Sequence, residues 1–187
     1  AHCAWVSGRP MILAARATKP VVAIANSLSA SAAYWIGCSA SEFYVTPGGE
    51  VGSIGVWQAH QDYSAALAEA GVKTTLISAG KYKVEGNPYE PLSAEATTFL
   101  QSRVGDYYQA FTKAVAKGRG VSIDSVRNGM GQGRVLGADA ALAEKMVDGM
   151  MTFDEVVRKM QRAAKAASKP AGASRLAAMQ REVDILG

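Results

Sequence analysis

The stretch from Pro20 to Gly37 constrains this chain more than any other. Pro20-Val21-Val22-Ala23-Ile24-Ala25 is short, apolar and β-branched, and a proline opens it. Those features predict a buried strand. Asn26-Ser27-Leu28-Ser29-Ala30-Ser31 follows, then Ala32-Ala33-Tyr34-Trp35-Ile36-Gly37, which reads as the first turns of a helix. A strand, a tight serine-bearing turn and a helix place a hydroxyl where unpaired N–H groups and the helix dipole favour a developing oxyanion. The same residue types also serve as helix caps and close-packing points. The stretch alone leaves both roles open.

A serine nucleophile needs a base beside it. The histidines are His2 and His60, and lysine is the other option when burial leaves it neutral. A free lysine titrates near about 10.4, so such a site has to be desolvated. Lys81 and Lys83 stand in Ser78-Ala79-Gly80-Lys81-Tyr82-Lys83-Val84-Glu85-Gly86-Asn87-Pro88. In an extended segment both project from one face, so spacing does not separate them. Between the serines and these lysines lies Gly52-Ser53-Ile54-Gly55-Val56, within an expected strand Val51 to Trp57. Glycines inside a strand mark a bulge or the close approach of another backbone, such as a peptide adding as an extra strand. His60 with Asp62 offers a Ser-His-Asp alternative. Yet Asp62-Tyr63-Ser64 has the pattern of a helix start, which gives His60 a surface or capping role.

Ser31-Ala32-Ala33-Tyr34, Gly52-Ser53-Ile54-Gly55 and Gly80-Lys81-Tyr82-Lys83, in that order, resemble the Ser/Lys proteases of the signal peptide peptidase A (protease IV) family. Lys83-Val84-Glu85-Gly86-Asn87 is similar to the phage head-maturation branch, of the lambda C protein type. The resemblance spans roughly residues 12 to 160, a whole-domain context rather than a lone motif. It implies an α/β fold of the ClpP/crotonase type, a layered ββα repeat. It also implies Ser31 as nucleophile, Lys83 as general base, Ser53 as a hydroxyl that positions the ammonium, and Ala32 as an oxyanion N–H donor. Gly52, Ile54 and Gly55 would line the substrate groove. The implied reaction uses no cofactor and no metal. Its substrates would be peptides or proteins, either capsid and scaffold proteins or signal-peptide-like segments. The implied assembly is a homo-oligomer with sites at or near subunit interfaces, because in the family serine and lysine can come from neighbouring subunits.

One departure stands out. The family's strand ending in Ser-Pro-Gly-Gly precedes the nucleophile, whereas Thr46-Pro47-Gly48-Gly49 here follows Ser31. The first strands and helix of the fold are therefore expected to be missing or diverged, with residues 1–152 as a protease domain truncated at its N-terminus. Two other classes of function fit parts of the sequence. One is a non-catalytic, protease-like capsid assembly (scaffold) protein. The other is a crotonase-like acyl-CoA enzyme, against which stands the lack of any adenine-binding signature.

The length of 187 residues suits one domain with a real core. The formal charge of +4 includes no dense basic block before residue 158, which reads as solvated surface and not as a nucleic-acid site. Cys3 and Cys38 have no metal or disulfide spacing, and Cys38 is expected in the core. No run has the length of a membrane span or the pattern of a signal peptide, so the expected setting is the cytoplasm of a bacterium or an infected host, procapsid included.

Strands are expected at Glu42–Val45, Val72–Ser78 and near Met146–Asp148, and helices over Asp62–Gly71, residues 93–118 and Ser122–Asn128. In the longest of these, Ala96, Leu100, Val104, Tyr107, Phe111 and Val115 form a core-facing stripe. The glycine-rich run Gly129–Gly133 lacks the Lys-Ser/Thr of a phosphate loop. Residues 153–187 form the second expected region: a basic amphipathic helix from Phe153, a linker over Lys165–Ser174 and a further amphipathic helix over Arg175–Leu186 that docks a partner.

Overall fold

A computed structural model describes residues 4–168. After helix α1 (Ala4–Thr18), strand β1 (Val22–Ala25) runs through two residues into β2 (Leu28–Ala30), and helix α2 (Ala32–Gly37) follows at once. The pattern then repeats: β3 (Glu42–Val45), a four-residue turn, and β4 (Glu50–Gly52). β1 pairs with β3 in parallel, Val22 opposite Glu42. β2 pairs with β4 in parallel, Leu28 opposite Glu50. Both chains therefore cross together from one three-stranded sheet, β1-β3-β6, to a second, β2-β4-β5. This is the expected layered ββα arrangement.

The crossing depends on glycine. Gly48 has φ 72, and a side chain at Gly49 would sit 2.7 Å from the Ser27 carbonyl oxygen. Thr46-Pro47-Gly48-Gly49 thus belongs to this turn. The Gly49 N–H donates to the Thr46 carbonyl and the Glu50 N–H to that of Ser27, each at 2.8 Å.

Two short strands complete the sheets. β5 (Val135–Gly137) runs antiparallel to β4, and β6 (Gly149–Met150) runs parallel to β3. Helix α3 (Ser64–Glu69) lies on the long excursion between β4 and α4 (Ala94–Arg119). Helix α4 starts on a Ser93 cap, whose side chain accepts the Ala96 N–H, and ends on Gly120 in the left-handed region. Its stripe behaves as its period requires: Ala96, Phe111 and Val115 are buried. Phe111 stacks on Trp35 of α2, with ring centroids 4.5 Å apart and planes 5° apart. α4 also passes α2 so closely that a side chain at Gly118 would lie 2.1 Å from the Cys38 carbonyl. Tyr34, Phe43, Val45, Val51, Met130 and Met146 fill the rest of the core, and the buried Tyr34 hydroxyl donates to the Met146 carbonyl at 2.9 Å. Cys38 is a core residue, as expected.

α5 (Ile123–Asn128), a short 3-10 turn and α6 (Ala138–Ala143) lead to β6. α7 (Phe153–Ala167) opens on a reciprocal capping box between Thr152 and Glu155. It is held to the domain by buried Val156 and by Lys159, which bonds both Glu42 and the Tyr44 hydroxyl on β3. The helix therefore runs through Lys165, where a linker was expected. The rest of that linker and the helix over Arg175–Leu186 lie outside the described residues.

Two strand expectations are corrected. The strand expected to Trp57 ends at Gly52, and Val72–Ser78 forms no regular element and joins neither sheet. Val72 and Ile77 are solvent-exposed, Ile77 at 95%. β-branched composition reports how well a residue suits a pleated, half-buried surface. It does not supply a neighbour with which to pair. The last strand lies at Gly149–Met150, just beyond the expected Met146–Asp148.

Candidate active site

Ser31 sits between β2 and α2 with φ 53 and ψ −121, a left-handed conformation that costs a non-glycine residue on the order of 1–3 kcal/mol. Two hydrogen bonds hold it there. Its N–H donates to the Gly52 carbonyl at 2.8 Å, and its own carbonyl accepts the Trp35 N–H at 3.0 Å. The side chain does not cap the helix. The hydroxyl of Ser31 is therefore not spent on capping α2. The first N–H groups of a helix have no intrahelical acceptor, and Ala32, which opens α2, lines the same cavity as Ser31.

Gly52 couples this residue to the next one of interest. It has φ 132, and a side chain there would meet the Arg134 carbonyl oxygen at 2.6 Å. Ser53 follows, also left-handed at φ 53, with its N–H donating to Arg134 at 2.8 Å. Ser31 and Ser53 are thus two strained positions joined through the backbone of Gly52. Ile54 is 3% exposed and belongs to the core, and Gly52 is buried against β5, so of the three expected groove residues only Gly55 lines the cavity beside Ser31.

Ser31, Ala32 and Gly55 share one cavity of ≈ 300 Å³ with Trp35, Val56, Trp57, Tyr107 and Phe111. Its walls are mostly aromatic and aliphatic, and Trp57 stands 84% exposed at its edge. Sequence reasoning assigned Tyr107 and Phe111 to the core and missed their second role. Locally the sequence offers only two aromatics four residues apart on one face of α4 and Trp35 one turn beyond Ser31, with nothing that joins the two.

Lys83 is not brought to this cavity. It lies on an exposed run of turns, residues 81–86, and is not among the cavity's lining residues. Lys81 is already engaged: its ammonium donates to the Tyr82 hydroxyl at 2.7 Å and stands 3.8 Å from Glu95. The Ser-His-Asp alternative is not assembled either. The His60 Nε2–H donates to the Asn87 carbonyl at 2.8 Å. Asp62 accepts the Ser64 N–H at 2.8 Å, and the Ser64 hydroxyl first and this N–H second hold its carboxyl below the usual carboxylate range. No cluster of three or more metal-binding side chains occurs among the described residues.

A serine of positive φ at a helix N-terminus, with no partner for its hydroxyl among the described residues and an apolar cavity alongside, on a layered ββα scaffold, is the kind of setting that the serine-hydrolase class uses. The comparisons with known proteins narrow that class. Residues 14–167 match the model of peptidase family S49, and the chain belongs to that family. It is 38% identical over 143 residues to capsid assembly protease C of Escherichia phage lambda, covering 74% of this chain and 32% of the relative. It is 32% identical over 180 residues to the head-tail preconnector protein GP5 of Enterobacteria phage P21, covering 95% and 36% respectively. Protease 4 of Salmonella typhi is 29% identical over 158 residues, with 84% and 25% coverage. The chain therefore spans about a third or less of the length of these curated relatives. Among solved structures, a membrane-bound stomatin-specific protease, 1510-N, superposes with a TM-score of 0.50 at 15% identity, over 85% of this chain and 63% of that one. This likeness bears on the fold. Among the described residues no helix is long and apolar enough to cross a membrane.

Proposed function

We propose that this chain is a serine endopeptidase that cleaves capsid or scaffold proteins, with Ser31 as nucleophile and Lys83 as general base. The observation that carries the reading is the uncommitted Ser31 hydroxyl at the mouth of α2, beside an apolar cavity. Membership of a peptidase family and likeness to proteins named as capsid assembly and head-tail proteins support it.

In the reaction, the neutral Lys83 amine takes the Ser31 proton as Oγ attacks the scissile carbonyl. The Ala32 N–H donates to the oxyanion that forms. The lysine, now an ammonium, gives its proton to the leaving amine, and the peptide C–N bond breaks. A water then loses a proton to the lysine, attacks the acyl-enzyme and releases the acid, with the proton returned to Ser31. Ser53 is the hydroxyl that orients the ammonium. Gly55, in the cavity wall, leaves room for an extended substrate, while Gly52 and Ile54 are packed behind it. The cytoplasm of a phage-infected cell, procapsid included, is the setting that this function requires.

A lysine acts as a base only when withdrawn from water, and Lys83 is exposed in the single chain. The active form is therefore an assembly that covers the lysine turn, a homo-oligomer in which one subunit's Lys83 approaches a neighbour's Ser31. Replacing Ser31 with Ala, or Lys83 with Ala, lowers peptide cleavage by a factor on the order of 10³ or more with the fold intact. A serine-reactive phosphonate labels the native chain at Ser31 and does not label Ser31→Ala. The exposed Lys83 also suits the non-catalytic assembly role. An assembled native chain that takes no label, yet binds a capsid protein, would establish that role instead.

A further inference from the structure

The turn that carries Lys83 is irregular and exposed, yet it is tied down on two sides. Asn87 is the hub. Its side-chain amide donates to the Val84 carbonyl at 2.9 Å, and its side-chain oxygen accepts the Tyr89 N–H at 2.9 Å. Its backbone N–H donates to the same Val84 carbonyl at 3.1 Å. One asparagine thus closes the turn immediately after the lysine and fixes the exit from it.

The hub is then fastened to the chain that leads away from Ser53. The Asn87 carbonyl accepts the His60 Nε2–H at 2.8 Å, and the Pro88 carbonyl accepts the Tyr63 N–H at 2.8 Å. On the opposite side, the Tyr82 hydroxyl donates to Glu95 at 2.8 Å in the first turn of α4, and Lys81 bonds that hydroxyl. Behind the turn lies a polar cavity of ≈ 240 Å³, with His60, Lys81, Asn87 and Glu95 in its lining. Lys83 stands between the two ties. Its N–H is used in the turn, donating to Gly80 at 3.1 Å, and its side chain projects into solvent.

We infer that His60 and Asn87 are positioning residues for the reaction: they hold the Lys83 turn in the conformation that presents the amine, and His60 transfers no proton itself. The inference rests on the reading of Lys83 as base. It assigns roles to the residues that the chemistry leaves over. Lys81 anchors the turn to α4. His60 spends its Nε2–H on the Asn87 carbonyl, where a backbone acceptor asks only for a donor. A freely moving lysine loses both its pre-organisation and its shared geometry with the nucleophile, and a misplacement of about 1 Å can cost on the order of 10²-fold in rate.

The test is steady-state cleavage of a peptide substrate by the full chain, with rates divided by the number of sites that the phosphonate titrates. Asn87→Ala and His60→Ala are expected to lower kcat per titrated site by about 10- to 100-fold, with KM within about twofold of the native value. A merely structural defect would lower the number of titratable sites and leave kcat per site alone. His60→Gln keeps an N–H donor for the Asn87 carbonyl and is expected to restore most of the rate lost in His60→Ala. Native kcat per site in both alanine variants would overturn the inference. So would a His60→Gln variant as slow as His60→Ala, which would make the imidazole a proton carrier. Lys83→Ala is measured alongside. If it stays fully active, the base assignment has failed. If it is inactive while His60→Ala and Asn87→Ala are native, the positioning roles alone have failed.

Discussion

At the scale of single residues, two glycines make opposite predictions. Gly52 combines φ 132 with a carbonyl 2.6 Å from where a side chain would begin, and its own carbonyl holds the Ser31 N–H. Gly52→Ala therefore pushes β5 away and releases Ser31. It is expected to lower the melting temperature by several degrees, from about 1–3 kcal/mol of backbone strain, and to abolish phosphonate labelling. Gly105 lies inside α4, where a side chain would meet nothing within 4 Å and φ is ordinary. Gly105→Ala is expected to stabilise by about 0.5–1 kcal/mol, read as a higher melting temperature with native labelling. Asp148 gives a prediction in pH. Its partial burial favours the neutral acid, but the Arg119 guanidinium, bonded to it at 2.7 and 3.0 Å, and the Phe43 N–H outweigh that and lower its pKa. A carboxyl lowered in the folded state stabilises fully above its ordinary value, about 3.9, and that contribution is lost as pH falls through the lower folded value. Acid titration of the melting temperature is expected to show this loss, and Asp148→Asn to flatten it while lowering stability at neutral pH.

At the scale of elements, helix α7 is tied to the domain by a cap, one buried side chain and one charged cluster. Thr152→Ala removes the cap acceptor and is expected to cost about 1 kcal/mol, visible in chemical denaturation. Elements of this kind were legible in the sequence because their causes are local. α4 announced itself through Ser93, a sustained apolar stripe and Gly120; β3 through a compact apolar run before Pro47; Ser31 through its place between strand and helix. Val72–Ser78 misled for a physical reason. Its residues suit a strand, but pairing is a property of two segments, and among the described residues it pairs with neither sheet. The cavity was hidden for a related reason. Tyr107 and Phe111 meet Trp35 and Ser31 across more than seventy residues of sequence, so no local pattern joins them. The His60–Asn87 bond was equally invisible, because a backbone carbonyl leaves no trace in the identity of its residue.

At the scale of the whole molecule, the proposed dyad has to bring an exposed lysine to a serine at a different place on the surface. Ser31 opens onto a cavity built from α2, the chain after β4, and α4, while Lys83 sits outside it on the excursion between β4 and α4. If neighbouring subunits complete each other, two inactive variants must rescue one another. Ser31→Ala retains a working Lys83, and Lys83→Ala retains a working Ser31. Mixed in equal amounts and allowed to exchange subunits, half of all positions supply the serine and half of their neighbours supply the lysine. About a quarter of sites then regain both groups, and activity returns to roughly that fraction of native. A site completed within one chain gives no recovery at any mixing ratio. Phosphonate labelling of the mixture locates the effect, because only Lys83→Ala chains carry the serine, and they take label quickly only when a Ser31→Ala neighbour lends its amine. Dilution below the assembly threshold should remove the recovered activity and the native activity together, because in the proposed assembly one interface covers the lysine from water in both.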